Sequence, residues 1–240
     1  MKKILILSLA LLATISLGGC KNKGKDKSGQ ESGGSSEQKT TCTLEEFKER
    51  LNANDASFGE EENPKLKNIS YKSGTVLSLH PVNYKEGEFY DSQEGLGGRR
   101  SIWKDSDGFH KYVKTLFGGE TYSELTEEQF EAEMASGKQT VHSIVYTPIQ
   151  MAKELIAEKE GGESERRISF KFSVSILGNY RMEATVVFTE KDYEENIVEH
   201  TDVYTISLGE DLPYQYQYDR DDSNQTAHTF QYGNASFDRP

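Results

Sequence analysis

The chain has 240 residues, a formal net charge of -12, 34% hydrophobic residues and a mean hydropathy of -0.73, which is material for one domain of ordinary size. The acidic balance excludes nucleic acid as a partner, because phosphate binding needs a concentrated basic face. Cys20 and Cys42 are the only cysteines, too few for a disulfide framework, so the body must stand on its apolar core.

The chain opens with Met1-Lys2-Lys3 and an apolar run from Ile4 to Leu17. That is the composition of a secretion signal. The run is shorter than the ~20 residues that a helix needs to cross a bilayer, so cleavage is expected rather than a membrane span. It ends in Leu17-Gly18-Gly19-Cys20, which resembles the lipobox of bacterial lipoproteins: a leucine, two small residues and the acceptor cysteine. The resemblance implies a signal peptide over 1–19 and a diacylglyceryl group on the Cys20 thiol. It also implies an extracytoplasmic position at the bacterial cell membrane or envelope, with the membrane as partner. Each buried CH₂ of such an anchor contributes ~0.8 kcal/mol, and two or three acyl chains hold durably.

Residues 20–41 form the expected lipidated tether. From Lys21 to Thr41 there is no large apolar residue, and Gly, Ser, Lys and Gln dominate. Such a segment cannot pack and reads as a flexible linker. Five lysines against Asp26, Glu31 and Glu37 make it basic, while the body from residue 42 to 240 is strongly acidic.

Three helix starts are signalled by their caps. Thr43-x-x-Glu46 is a capping box, with Cys42 and Phe47 in staple positions and Leu44, Phe47 and Leu51 on one face. Thr126-x-x-Gln129 repeats the pattern, with Leu125 and Phe130 as staple, Met134 one turn on, and Gly137 as the expected C-cap. Thr147-Pro148 predicts a third start, carrying Met151, Leu155 and Ile156 to a stop at Gly161-Gly162.

Strand signals dominate after residue 166. Ile168, Phe170, Phe172, Val174 and Ile176 alternate with polar residues. Gly178-Asn179 turns the chain, and Tyr180, Met182, Ala184, Val186 and Phe188 alternate back as the second arm of a hairpin. Tyr204 to Leu208, Tyr214 to Tyr218 and His228 to Tyr232 continue the series; Ile69 to Leu79 and Tyr84 to Tyr90 read as two earlier strands. Between residues 105 and 117 two patterns compete. Asp107-Gly108 suggests a hairpin, but Phe109, Tyr112, Val113, Leu116 and Phe117 recur at helical spacing, and a helix from Phe109 is the favoured reading. Grouped rather than alternating elements make the class α+β: a single domain over 42–240 with an antiparallel β-meander covered by a few amphipathic helices.

The chemistry-bearing residues are sparse. His80, His110, His142, His200 and His228 are scattered, without metal-ligand spacing, and no nucleophile elbow occurs. No metal, cofactor or catalytic residue is expected. Gly95-Leu96-Gly97-Gly98-Arg99-Arg100 is the nearest approach to an anion-binding loop, although a plain flexible loop is the favoured reading. Asp105 to Gly108 and Asp219 to Asn224 resemble calcium loops in oxygen content, but neither reaches the glutamate that closes one, and both read as turns. Tyr214, Tyr216 and Tyr218, with Phe230 and Tyr232 across the turn, are the candidate ligand-binding residues: a stacking platform if exposed, core if buried, with burial favoured. The expected function is a non-catalytic ligand-binding module held at the cell surface. The alternative is an interaction protein that displays an acidic domain to a protein or wall partner. An envelope hydrolase is the weaker third reading.

Overall fold

A computed structural model describes residues 41–239 except 61–62, 76–77, 94–97, 163, 222–223 and 238. The expected signal peptide, Cys20 and the tether through residue 40 lie outside the described residues. The elements are α1 (Leu44–Gly59), a 3-10 turn (Pro64–Lys67), β1 (Asn68–Thr75), β2 (Ser78–Lys85), β3 (Glu88–Gln93), β4 (Gly98–Asp105), β5 (Gly108–Lys114), β6 (Glu120–Leu125), α2 (Glu127–Gly161), β7 (Arg167–Val174), β8 (Tyr180–Lys191), β9 (Ile197–Leu208), β10 (Pro213–Arg220) and β11 (Asn224–Tyr232).

All eleven strands join one antiparallel sheet in the order β6-β5-β4-β3-β2-β1-β11-β10-β9-β8-β7. Two meanders, β1 to β6 and β7 to β11, meet at a central seam where Ile69 opposes Tyr232 and Tyr71 opposes Phe230. The class is therefore broadly α+β, with the sheet predominant and the helices few. The outer strands carry charges, Glu120 and Glu124 on β6 and Arg167 and Lys171 on β7, which discourages pairing with further strands.

Helix α2 joins one edge of this sheet to the other. Its 35 residues span ~52 Å at 1.5 Å per residue, and eleven strands at ~4.8 Å spacing extend ~48 Å. The connection is thus as long as the sheet is wide. Two core clusters follow: Val141 and Val145 of α2 with Ile69, Val82, Phe89 and Ile102, and Ile149, Ala152, Leu155 and Ile156 with Met182, Ala184, Val186, Ile206 and Leu208. Phe58 and Tyr216 pack against both.

Both capping boxes form. The Glu46 amide donates to Thr43 Oγ1 at 3.2 Å and the Glu46 carboxylate accepts from the Thr43 amide at 2.8 Å. Thr126 and Gln129 exchange the equivalent pair at 3.2 and 2.9 Å. Each cap is worth ~1 kcal/mol. Gly162 ends α2 in the left-handed region at φ 69, as the Gly161-Gly162 stop predicts.

The two predicted helices at 126–137 and 147–161 are one continuous helix. Gly137 is buried within it rather than capping it, and Pro148 is an interior residue. Thr147, read as a cap, instead turns its hydroxyl back to the Ser143 carbonyl at 3.0 Å. An interior proline costs about 3 kcal/mol; α2 outweighs this by burying ten residues along its length.

The remaining differences lie among the strands. The segment 105–117 is not helical: Asp105 opposes Gly108 in a tight hairpin, and Phe109, Lys111 and Val113 share one face of β5. The stretch 69–79 is divided between β1, which ends at Thr75, and β2, which begins at Ser78, and 84–90 straddles the turn at Gly87, whose φ is +86. Ile176 lies beyond the end of β7, in the turn. Strand β6, whose only large apolar residues are Tyr122 and Leu125, has no forerunner in the pattern.

Candidate functional site

Strands β3, β4 and β5 end together at one edge of the sheet and enclose an open cleft of about 600 Å³, within the range of small-molecule sites. Its described lining is Asp91, Gly98, Arg99, Arg100, Lys114 and the turn residues Thr115, Leu116 and Phe117. Alternation along β4 sends Arg99 and Arg100 to opposite faces. The Arg99 guanidinium lies between the rings of Tyr90 and Tyr112, 5.4 and 5.5 Å from their centroids, and its Nε donates to Ser101 Oγ at 3.3 Å. Arg100 rests over Phe89 at 4.7 Å, with Glu133 of α2 3.9 Å away.

Lys114 bonds across to Glu120 at 3.0 Å. That contact raises the lysine and lowers the glutamate from their ordinary values. Both side chains are substantially exposed, so the pair orders the turn more than it stabilises it. The turn itself leaves Leu116 half exposed and Phe117 99% exposed. Arg99 and Lys114 share one face, opposite each other across β4 and β5, and Arg100 lies with Asp91 on the other. Even with Glu120 and Glu133 nearby, the arginine forks and the apolar lip suit an anionic group borne on an apolar body. Arginine forks match phosphate or carboxylate geometry. The described lining holds no His, Ser or Cys.

Gly98, Arg99 and Arg100 belong to the stretch that the sequence offered as an anion loop; Gly95, Leu96 and Gly97 lie outside the described residues. Lys114 to Phe117 were hidden by the helical reading of 109–117. The available signal was the Phe117-Gly118-Gly119 turn, with Gly118 at φ +82.

The predicted tyrosine platform is divided. A bulge at Pro213/Gln215 shifts the β10 register and leaves Tyr214 49% exposed. Tyr216 and Tyr218 are half-buried against the core, and Phe230 is buried. Tyr232 donates its hydroxyl to the Pro213 carbonyl at 2.7 Å. Ring contacts run Tyr204–Tyr218 at 5.0 Å, Tyr216–His228 at 5.3 Å, Tyr71–His228 at 5.7 Å and Tyr71–Phe230 at 5.6 Å. The ladder therefore crosses the central seam as core.

Its polar ends are satisfied within the fold. The buried Asp202 carboxylate accepts from Tyr218 at 3.1 Å, Tyr204 at 3.3 Å and Arg220 Nε at 2.9 Å. Burial, then Asp202, pushes Tyr218 up to about 12, and burial alone lowers His228 to about 4.

A second polar chain lies on β4 to β6: Tyr122 OH to His110 Nδ1 at 2.6 Å, and His110 Nε2 to Asp105 Oδ1 at 2.9 Å, with Trp103 Nε1 also donating to Asp105. Desolvation, then neighbouring carboxylates, raises Tyr122, so its hydroxyl stays protonated and the chain serves as a clasp. The Asp105 to Gly108 segment is a turn closed by Asp107 N to Asp105 Oδ1 at 2.9 Å. In the Asp219 to Asn224 segment, Asp221 accepts from Thr201 N and pairs with His200, each at 2.7 Å. Among the described residues no group of three or more His, Cys, Asp or Glu could hold a metal ion. No described helix is long and apolar enough to cross a membrane.

Comparison with protein-family models, with curated proteins and with solved structures returns no match.

Proposed function

We propose that the chain is an envelope lipoprotein, anchored by lipid on Cys20, whose body is a non-catalytic binding module for an anionic ligand with an apolar part. The observation that carries the ligand reading is the cleft at the ends of β3 to β5. Arg99, Arg100 and Lys114 gather there with exposed Leu116 and Phe117, on a chain whose net charge is -12. An acidic protein that sets Arg99 and Lys114 side by side on one face of a ligand-sized opening, with Arg100 at its rim, favours an anion at that point. In this reading α2 serves as the cover of the sheet, and the half-buried tyrosines Tyr216 and Tyr218 keep that cover in register.

Two measurements test the two halves. Cys20→Ser is expected to move the protein from the membrane to the soluble fraction with an unchanged far-UV spectrum; a variant that stays on the membrane overturns the anchor. Titration with decyl phosphate and with inorganic phosphate is expected to show tighter binding of the alkyl compound, lost in Arg99→Ala/Arg100→Ala. Equal binding by that variant overturns the cleft.

A second reading, display to a protein partner, is favoured by the β8–β9 turn. There Tyr193 is 96% exposed and flanked by Asp192, Glu194 and Glu195. Its test is retention of a basic peptide by the wild-type chain and its loss in Tyr193→Ser.

A further inference from the structure

We propose that the Ile176–Leu177 turn is a second membrane contact, which seats the body on the lipid surface with the cleft facing away from it. The proposal rests on the lipid at Cys20. A chain of 21 residues can reach at most ~70 Å, so a lipid on Cys20 does not by itself fix which way the body faces. Something on the body must set the orientation if the cleft is to face one way.

The chain enters the body beside this turn. The Cys42 thiol lies 3.7 Å from the Ser173 carbonyl on β7, and three residues further along the chain, within ~10 Å, stands Ile176. Ile176 and Leu177 are 79% and 80% exposed. The turn that presents them is held by Ser175 N to Asn179 O and Gly178 N to Ser175 O, both at 2.9 Å, with Gly178 at φ +77. The entire stretch from Phe172 to Tyr180 carries no charged residue, so dipping into the headgroup layer desolvates no charge. On the flanking strands Lys171 and Arg181 both lie against Glu183, at 3.0 and 3.6 Å, leaving one positive charge in excess.

The other end of the sheet is different. Strand registers place the Ile176–Leu177 turn at the same end as Leu208, Pro213 and Asn68, and the cleft residues Gly98 and Lys114 at the opposite one. That far end carries both the acidic β8–β9 turn, with Asp192, Glu194 and Glu195 around Tyr193, and the cations of the cleft, while the near end carries Glu210 and Asp211 between β9 and β10. The choice of end therefore rests on the uncharged apolar turn and on where the chain enters. Two aliphatic side chains are too little to hold a protein on a membrane, but a tether that keeps them at high local concentration makes a weak contact sufficient.

The test uses the full lipidated chain in phosphatidylglycerol/phosphatidylethanolamine vesicles with brominated acyl chains. Leu177→Trp and Phe117→Trp each add an indole at one end of the sheet, at sites where neither touches the core; wild type, with Trp103 alone, supplies the background. Indole fluorescence in Leu177→Trp is expected to be quenched several-fold more than in Phe117→Trp. Equal quenching, or stronger quenching in Phe117→Trp, overturns the orientation. Absence of quenching in Leu177→Trp, with the protein floating on the vesicles, overturns the contact while leaving the anchor intact, whether or not chemical cross-linking then pairs the turn with a second copy of the chain. Failure of the wild type to float overturns the anchor.

Discussion

Gly137 of α2 lies directly against the ring of Phe89 on β3: a Cβ at this glycine would stand 2.6 Å from Phe89 Cδ2. Phe89 is 1% exposed and cannot swing away. Gly137→Ala gains about 1 kcal/mol of helix propensity but overpacks a rigid site at a cost of about 1–3 kcal/mol. Net destabilisation is expected in urea unfolding, and Phe89→Leu in the same chain should relieve it. Gly161→Ala, at the open end of the same helix with nothing within 4 Å, is the control and should be neutral or slightly stabilising.

Acid stability is expected to depend on His228. Its half-buried ring, hydrogen-bonded to the Tyr71 hydroxyl at 2.5 Å, is lowered by desolvation to about 4 against about 6.5 in an unfolded chain. Between these values the unfolded state binds the proton first. The contribution is whole above pH 6.5 and falls away toward pH 4, by about 3 kcal/mol. His228→Phe should flatten the stability profile across that window. An unchanged slope would place the acid sensitivity in another group.

Asp202 holds three donors at once, so its loss should exceed the loss of any one of them. Asp202→Ala is expected to cost about 2–4 kcal/mol, because two hydroxyls and a guanidinium lose their common acceptor; the 40% exposure of Arg220 keeps the figure below that of a fully buried pair. Tyr218→Phe should cost about 1 kcal/mol. Combined, the two should cost less than their sum, which chemical denaturation of the four-member cycle measures directly.

In the cleft, arginine and lysine should not be interchangeable. Arg99 is stacked between two tyrosines, and Arg99→Lys loses the planar fork that both the rings and a phosphate require. Affinity for decyl phosphate is expected to drop roughly tenfold, about 1.4 kcal/mol, with little change in melting temperature. Lys114→Ala should cost less and weaken the salt dependence, since that ammonium is already shared with Glu120.

Much of the framework was legible in local chemistry. Both capping boxes, the Gly162 stop and the β7–β8 hairpin follow from residue types at fixed spacing. The failures share a cause: tertiary burial overrode a local signal. Gly137 and Pro148 both read as helix boundaries, yet each is held inside α2 by what the helix packs against. Phe109, Tyr112, Val113 and Leu116 have helical spacing by coincidence, since one face of β5 packs on Phe130 and the other on the Arg99 stack. The cleft was half legible, in Gly98-Arg99-Arg100. Its other half comes from a neighbouring hairpin, and no single-strand pattern announces which turns a sheet will bring side by side. Along β10 the alternation that the sequence suggested for Tyr214, Tyr216 and Tyr218 is interrupted by the register shift between Pro213 and Gln215.

The central seam has a consequence for the order of events in time. Strands β1 and β11 pair residues about 160 positions apart, so the middle of the sheet closes only when the last segment of the chain has arrived. Contacts of such sequence separation form late. A polypeptide threaded through a membrane from its N-terminus would carry two unjoined half-sheets until its final strand emerged. It would remain open enough to pass through a pore, and would lock only after transit was complete. Truncation ahead of Asn224 should therefore leave a chain that never acquires cooperative unfolding.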